Sequence, residues 1–326
     1  MAYPENLHEK PSRKFGLYLG LFFLCLFGSE GLKAGEFPLW EADVNVLLQQ
    51  LQGSETGREL ISKALRHVGE TKIEKLKNWV SAGEVSVTDT VLTRSYSHAT
   101  GKMQFDEQSQ VSINRNLSTQ NALLDLAHEL THFIYRKSFN PYSDEFTWAE
   151  FIKETIEGTG GEAHAFQTEC QVALELHAKK MVDDQEYLRC KPYLIRETDQ
   201  VKISRNLIIR EFYALGRWYP RTIGEFESAN LLRSFPLLKA STSKFISAAA
   251  GMPYPLAAYY EYKNVKSRAC KNEYRRLETL KGHLEKVAAR KSKESRRLAS
   301  ADREENDLED QVSNLQSSLV KRCQGF

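Results

Sequence analysis

Between Val265 and Arg322 the chain has no proline and a single glycine, Gly282. Apolar residues at Leu277, Leu280, Leu284, Val287, Leu298, Ala301, Leu308, Val312, Leu315 and Leu319 keep one heptad phase, with Lys291, Glu294 and Glu305 as polar seam positions. Such a stretch must be helical and must cover its seam. Two shapes satisfy this. A straight helix would be about 87 Å long at 1.5 Å per residue and would need a coiled-coil partner or self-association. A helical hairpin folded at about 292–300 would cover the seam within one chain. It would pair Leu277 with Leu315, Leu280 with Val312 and Leu284 with Leu308, and would bring Cys270 near Cys323. Charge supports the hairpin, since residues 271–300 carry a net +6 and residues 301–312 a net −5. Against it, Ser292–Ser300 has no Gly or Pro to make the turn. Both shapes remain open at this level.

The whole chain is 326 residues with a formal net charge of +2. That length supports a sizeable core, and that charge gives no nucleic-acid footprint. The one strongly apolar run, residues 15–28, follows Lys10, Arg13 and Lys14 and precedes small residues at Ser29, Gly31, Ala34 and Gly35. It is short for a spanning helix and has the plan of a signal peptide. Cleavage within Ser29–Ala34 is expected, with export to a periplasmic or extracellular space and no stable transmembrane span afterwards. Export permits disulfides among Cys170, Cys190, Cys270 and Cys323. None of the cysteines forms a CxxC pair, so a zinc ribbon is not expected.

The mature chain reads as α+β and mostly helical. Residues 38–80 look helical, with apolar clusters Leu47/Leu48/Leu51 and Leu60/Ile61/Ala64/Leu65 separated by Gly53-Ser54. Residues 84–115 alternate as strands around a turn at His98–Gly101. Helices are expected at about Thr119–Lys137, capped by Ser118 or Thr119, at about 145–156, and from Glu162 to about Val182. Residues 183–262 read as helix-rich, and their aromatic clusters, Phe212/Tyr213/Trp218/Tyr219 and Tyr254/Tyr259/Tyr260/Tyr262, read as core. The organisation expected is a signal peptide over 1–34, a catalytic-type domain with a helical extension over 35–262, and the heptad-bearing tail over 263–326.

The chemistry is carried by Leu124-Asp125-Leu126-Ala127-His128-Glu129-Leu130-Thr131-His132-Phe133-Ile134. His128 and His132 are four apart on a helix, so both imidazoles leave one face and can converge on a metal ion. Neutral imidazole suits Zn²⁺. Glu129 sits beside the metal's open position, where it can take a proton from water as a general base. The surrounding residues are uncharged, as a buried metal helix requires.

A catalytic zinc usually has a third protein ligand. The arrangement with a glycine at 135 and a histidine at 138 is absent, since Tyr135 and Ser138 stand there. Glutamates are available at Glu145, Glu150, Glu154, Glu157, Glu162 and Glu169. Glu162 opens a helix after Gly160-Gly161, where the backbone can approach closely, and small Ala163 and Ala165 flank it. It is the expected ligand, with Glu157 as the runner-up. His98, Tyr142, His164, Tyr213 and Tyr219 are candidate donors to a developing oxyanion, and the sequence does not choose among them.

This segment resembles the gluzincin branch of the zincin metallopeptidases, which carry H-E-x-x-H on one helix and a glutamate ligand on a later one. The run Gly160-Gly161-Glu162-Ala163-His164-Ala165-Phe166-Gln167 is similar to the small-residue surroundings of that glutamate. The resemblance spans about 85–180. It implies a zincin-like core with a small sheet packed on the active-site helix, and an edge strand within Gln108–Asn114 to pair with extended substrate. It also implies peptide-bond hydrolysis of a peptide or protein substrate. The thermolysin-like pattern has an acidic residue four after the third ligand; Phe166 stands there instead. Asp125 or Glu169 could then orient a zinc histidine, or serve as a helix N-terminal acid and a solvent-facing charge. The alternative function is a non-catalytic envelope or secreted interaction protein, using the same scaffold with the heptad tail as its working part.

Overall fold

The structure is a computed structural model, described over residues 44–97, 102–197, 200–247, 250–293 and 298–323. The expected signal peptide and the turn at His98–Gly101 lie outside the described residues. The fold is mostly helical with small sheets. The chain divides into two compact units, Met1–Ile134 and Tyr135–Phe326.

In the first unit α1 (Val44–Leu51) and α2 (Glu55–His67) pack on each other and on a 3-10 turn over Ile73–Asn78. Ser54 begins α2 by accepting the Gly57 N–H at 2.9 Å, a side-chain cap on a helix whose Leu60, Ile61 and Ala64 are buried. The sheet follows, with β1 (Val80–Gly83), β2 (Val87–Ser97) and β3 (Lys102–Asn114) in spatial order β1-β3-β2. β1 runs parallel to β3, with Val80 opposite Val111, and β2 runs antiparallel, with Thr88 opposite Val111. Val80, Val111 and Thr88 thus form one row, all buried, on the face that meets α3 (Thr119–Tyr135).

Two expectations change here. Val80, the last residue of the expected helical stretch, begins a strand, Val80–Gly83, that the sequence does not mark. Its parallel partner lies 31 positions along the chain, and no local alternation marks four residues. The expected edge strand within Gln108–Asn114 is flanked on both sides only at Val111 and Ser112; among the described residues Gln108–Gln110 has β2, and Ile113–Asn114 has β1, as its sole flanking strand. β1 and β2 are the edges, because the chain places its last strand in the middle of the sheet.

The second unit contains α4 (Trp148–Ile156), α5 (Glu162–His177), α6 (Asp184–Cys190), a hairpin of β4 (Leu194–Glu197) and β5 (Gln200–Ile203), α7 (Arg205–Phe212) and α8 (Tyr219–Ser228). A short pair, β6 (Ile246–Ser247) and β7 (Met252–Pro253), leads into α9 (Tyr254–Lys293), and α10 (Leu298–Arg322) ends the described chain. α4 starts at Trp148, where the Thr147 hydroxyl accepts the Glu150 N–H, three residues later than expected. α5 stops at His177 rather than near Val182. Lys180 is left-handed (φ 58°), and the Met181 N–H returns to Leu176 O, which closes a Schellman-type end.

The aromatic residues do form a core. Phe212 stacks on Phe245 with centroids 4.0 Å apart, Phe166 meets Phe245 edge-on, and Tyr254 caps Phe212. Phe226 and Tyr259 form another contact, and Phe146, Phe151 and Tyr262 a further group. Trp218 and Tyr219 are only half-buried, with Arg217 and Arg221 over the Trp218 ring.

The tail is a hairpin, and the straight-helix reading is overturned. Cys270, Leu277, Leu315, Leu319 and Cys323 form one buried cluster against which Leu280 and Val312 pack, as the hairpin register requires. Cys270 and Cys323 are disulfide-bonded, with Cα atoms 5.8 Å apart. Seam residue Lys291 donates to Glu305 and Asp302 at 2.6 Å each, so the seam positions Lys291 and Glu305 meet opposite charge inside the hairpin. Part of the reversal, residues 294–297, lies outside the described residues. α9 runs unbroken through residues 262 and 263, so the tail grows out of the same helix that buries Tyr259 and Tyr262. At its far end Arg322 donates to the Tyr142 carbonyl and pairs with Asp144, tying α10 to the loop before α4.

A second disulfide joins Cys170 on α5 to Cys190 on α6. Non-reducing peptide mapping should recover Cys170–Cys190 and Cys270–Cys323 as intrachain links. Cys270→Ser should cost roughly 2–4 kcal/mol of stability, the usual range for a disulfide closing a long loop. An intermolecular Cys323, or a melt unchanged by reductant, would contradict this pairing.

Candidate metal centre

The first unit presents the two histidines. α3 is capped by the Ser118 hydroxyl, which accepts the Asn121 N–H, and its residues Ala122–Leu124 and Leu126–Phe133 are buried, with Glu129 as the one acid among them. His128 and His132, one turn apart and 3% and 4% exposed, turn their Nε2 atoms to within 3.1 Å of each other. Thr131 between them sends its hydroxyl back to Ala127 O, which satisfies a buried polar group without disturbing the face. Glu129 is 3% exposed, and the Thr88 hydroxyl from β2 lies 2.8 Å from its Oε2.

The second unit presents the glutamate. Glu162 is the first residue of α5 and 1% exposed. The glycines before it are required by contact. Gly160 is left-handed (φ 80°), and a Cβ there would stand 2.2 Å from Arg136 N and 2.4 Å from the Tyr135 carbonyl carbon. A Cβ on Gly161 would stand 2.6 Å from Glu154 O. The start of α5 is thereby pressed against residues 135–136, and Arg136 Nη2 donates to Glu162 Oε1 at 2.9 Å. His164 is engaged elsewhere, accepting the Gly160 N–H at Nδ1 with its ring against Tyr135.

His128, His132 and Glu162 are all buried, and one ligand atom from each lies within 4.8 Å of the others. Such a group can bind a metal ion. Its donor set fits: two nitrogens held at 2.0–2.1 Å in a tetrahedron stand about 3.3 Å apart, close to the observed imidazole separation. The structure brings these three together as the sequence suggests. The other glutamates have different positions. Glu145 and Glu150 are exposed. Glu157, the runner-up, accepts the hydroxyl of fully buried Tyr213 at 2.6 Å; burial and this bond push the Tyr213 phenol up. Tyr213 is therefore committed to Glu157 rather than aimed at a substrate oxygen. Tyr142 accepts from Asn272, Tyr219 starts α8 half-buried, and His98 lies outside the described residues.

Glu169 is not a solvent-facing charge. It is 2% exposed and paired with Arg189, beside the Cys170–Cys190 disulfide. Asp125 is half-buried on α3. Phe166 packs edge-on against Tyr193 and Phe245.

Three neighbours of the site were not legible as such. Thr88 reaches Glu129 across 41 positions, and Arg136 reads from sequence only as a cation for a helix end. Glu261 on α9 is the third. Burial pushes its carboxyl up to about 7, with Arg136 opposing and Glu162 adding to the rise. The folded chain therefore holds this proton more tightly than the unfolded chain. Stability falls as pH climbs from the ordinary carboxylate value of 4.5 to about 7, and the cost persists above that. Glu261→Gln should raise the stability of the metal-free protein at pH 8 by about 1 kcal/mol or more, with the gain shrinking towards pH 5. Thermal melts at both pH values check this, and a gain independent of pH would contradict it.

Among the described residues no helix is long and apolar enough to cross a membrane. No protein-family model, curated protein or solved structure matches this chain.

Proposed function

We propose that this protein is an exported zinc-dependent metallopeptidase of the gluzincin type, with His128, His132 and Glu162 as zinc ligands and Glu129 as general base. The observation that carries the reading is the buried His-His-Glu group with Glu129 following its first histidine. Zinc bound there would polarise the scissile carbonyl and acidify a water. The protein's own residues do the rest. Glu129 takes the proton of the attacking water on its carboxylate and delivers it to the leaving amine as the C–N bond breaks. Arg136 holds one oxygen of Glu162, which orients the carboxylate and balances its buried charge. Uncharged side chains around α3 limit water at the site. A zincin-like core, a small sheet carrying Thr88 against the active-site helix, belongs to the same reading. Export is supported by two disulfides, which persist in oxidising compartments.

The alternative, a non-catalytic interaction protein with the heptad tail as its working part, would have to bind through the outer faces of the tail, because the seam is packed within the hairpin. The enzyme reading is tested by metal analysis and peptide turnover on the purified protein. The expected result is about one zinc per chain by the His₂Glu set, with hydrolysis lost to a chelator and restored by zinc. A chain that takes up no metal, or a hydrolysis indifferent to chelation, would overturn it.

A further inference from the structure

Thr88 is a polar residue in an apolar row. Its neighbours across the sheet are Val80 and Val111, buried like itself, and strand pairing would be served equally well by valine. A buried hydroxyl needs a partner, and both partners of Thr88 belong to one residue. Its Oγ1 lies 2.8 Å from the Glu129 carboxylate Oε2 and 2.8 Å from the Glu129 main-chain carbonyl oxygen. A hydroxyl has one proton to donate, and an ionised carboxylate is the stronger acceptor. Donation to Oε2, from a hydroxyl that also touches the carbonyl of the same residue, spans Glu129 from backbone to side-chain end. That contact fixes where the carboxylate stands among the rotamers that the three side-chain bonds of Glu129 allow.

We propose that Thr88 is a positioning residue for Glu129: by holding Oε2 towards the sheet, it sets the orientation of the carboxylate that takes the proton. The inference rests on the reading of Glu129 as the general base. Its consequence is that the platform for the base is strand β2, whose Thr88 lies 41 positions before Glu129. A base misplaced by about 1 Å can lose roughly a hundredfold in rate, so a single hydroxyl in this place can matter as much as a direct contact.

The test uses Thr88→Val, which keeps shape and strand preference and removes the proton, and Thr88→Ser, which keeps the proton. Turnover is measured on the fluorogenic peptide that the wild type cleaves fastest in a random library. Thr88→Val should lower kcat by about 10–100-fold, with KM and zinc content unchanged, and Thr88→Ser should recover most of the loss. In a Glu129→Gln background Thr88→Val should cause no further loss. A crystal structure of metal-free Thr88→Val should show the Glu129 carboxylate in a different rotamer. Wild-type kcat in Thr88→Val, an equal loss in both backgrounds, or an unmoved carboxylate would overturn the proposal. Should the valine variant fail to fold, Thr88→Ala is read in the same way. A wild type without zinc or turnover would sink the proposed function instead, and the rotamer of Glu129 would then decide this inference alone.

Discussion

Glu129→Gln is expected to lose about 10²–10⁴-fold in kcat, the range a positioned general base supplies, while keeping its zinc. The substitution is close to isosteric. The amide oxygen it introduces can still accept from Thr88, so the packing of α3 on the sheet is preserved and only the proton acceptor is removed. KM should change little, because the lost interaction belongs to the transition state rather than to substrate binding. The measurement is steady-state turnover alongside metal content. A variant that loses its metal would mean that Glu129 is a ligand, and a variant of full activity would remove it from the chemistry.

The second large effect concerns the third ligand. Glu162→Ala should weaken zinc binding by more than the roughly 10–100-fold typical of residues that only support a ligand. Arg136→Met should fall within that supporting range, since Arg136 touches Glu162 and not the ion. Glu157→Ala and Glu169→Ala separate metal binding from folding. The first leaves the buried Tyr213 hydroxyl without its acceptor, and the second removes the buried partner of Arg189. Each should cost about 1–3 kcal/mol of stability, the range for a buried polar group left unmade, with zinc affinity near wild type. Competitive chelator titrations and thermal melts on the four variants give both quantities. Equal zinc loss in Glu162→Ala, Glu157→Ala and Glu169→Ala would remove Glu162 from the site.

What the sequence by itself determined are the features with a short physical period. Four-residue spacing puts His128 and His132 on one face of α3 whatever surrounds the helix, and the Nε2 atoms meet. Gly160-Gly161 before Glu162 marks a close backbone approach, because any Cβ there would collide with Arg136 or Glu154. The heptad, with its opposite charge blocks, carries the hairpin register that packs Leu277 and Leu280 with Leu315 and Val312. Tertiary structure alone decided the rest. Whether the tail doubled back depended on a reversal with no turn residues, and the Cys270–Cys323 link records the outcome. The order β1-β3-β2 put Val111 and Ser112, expected on an edge, between two strands. Thr88 on Glu129, Tyr213 on Glu157 and Glu169 on Arg189 are each a polar group buried by one element and satisfied by another. Such pairings leave no periodic trace: a buried donor must find an acceptor, and which one it finds is fixed only when the elements have packed.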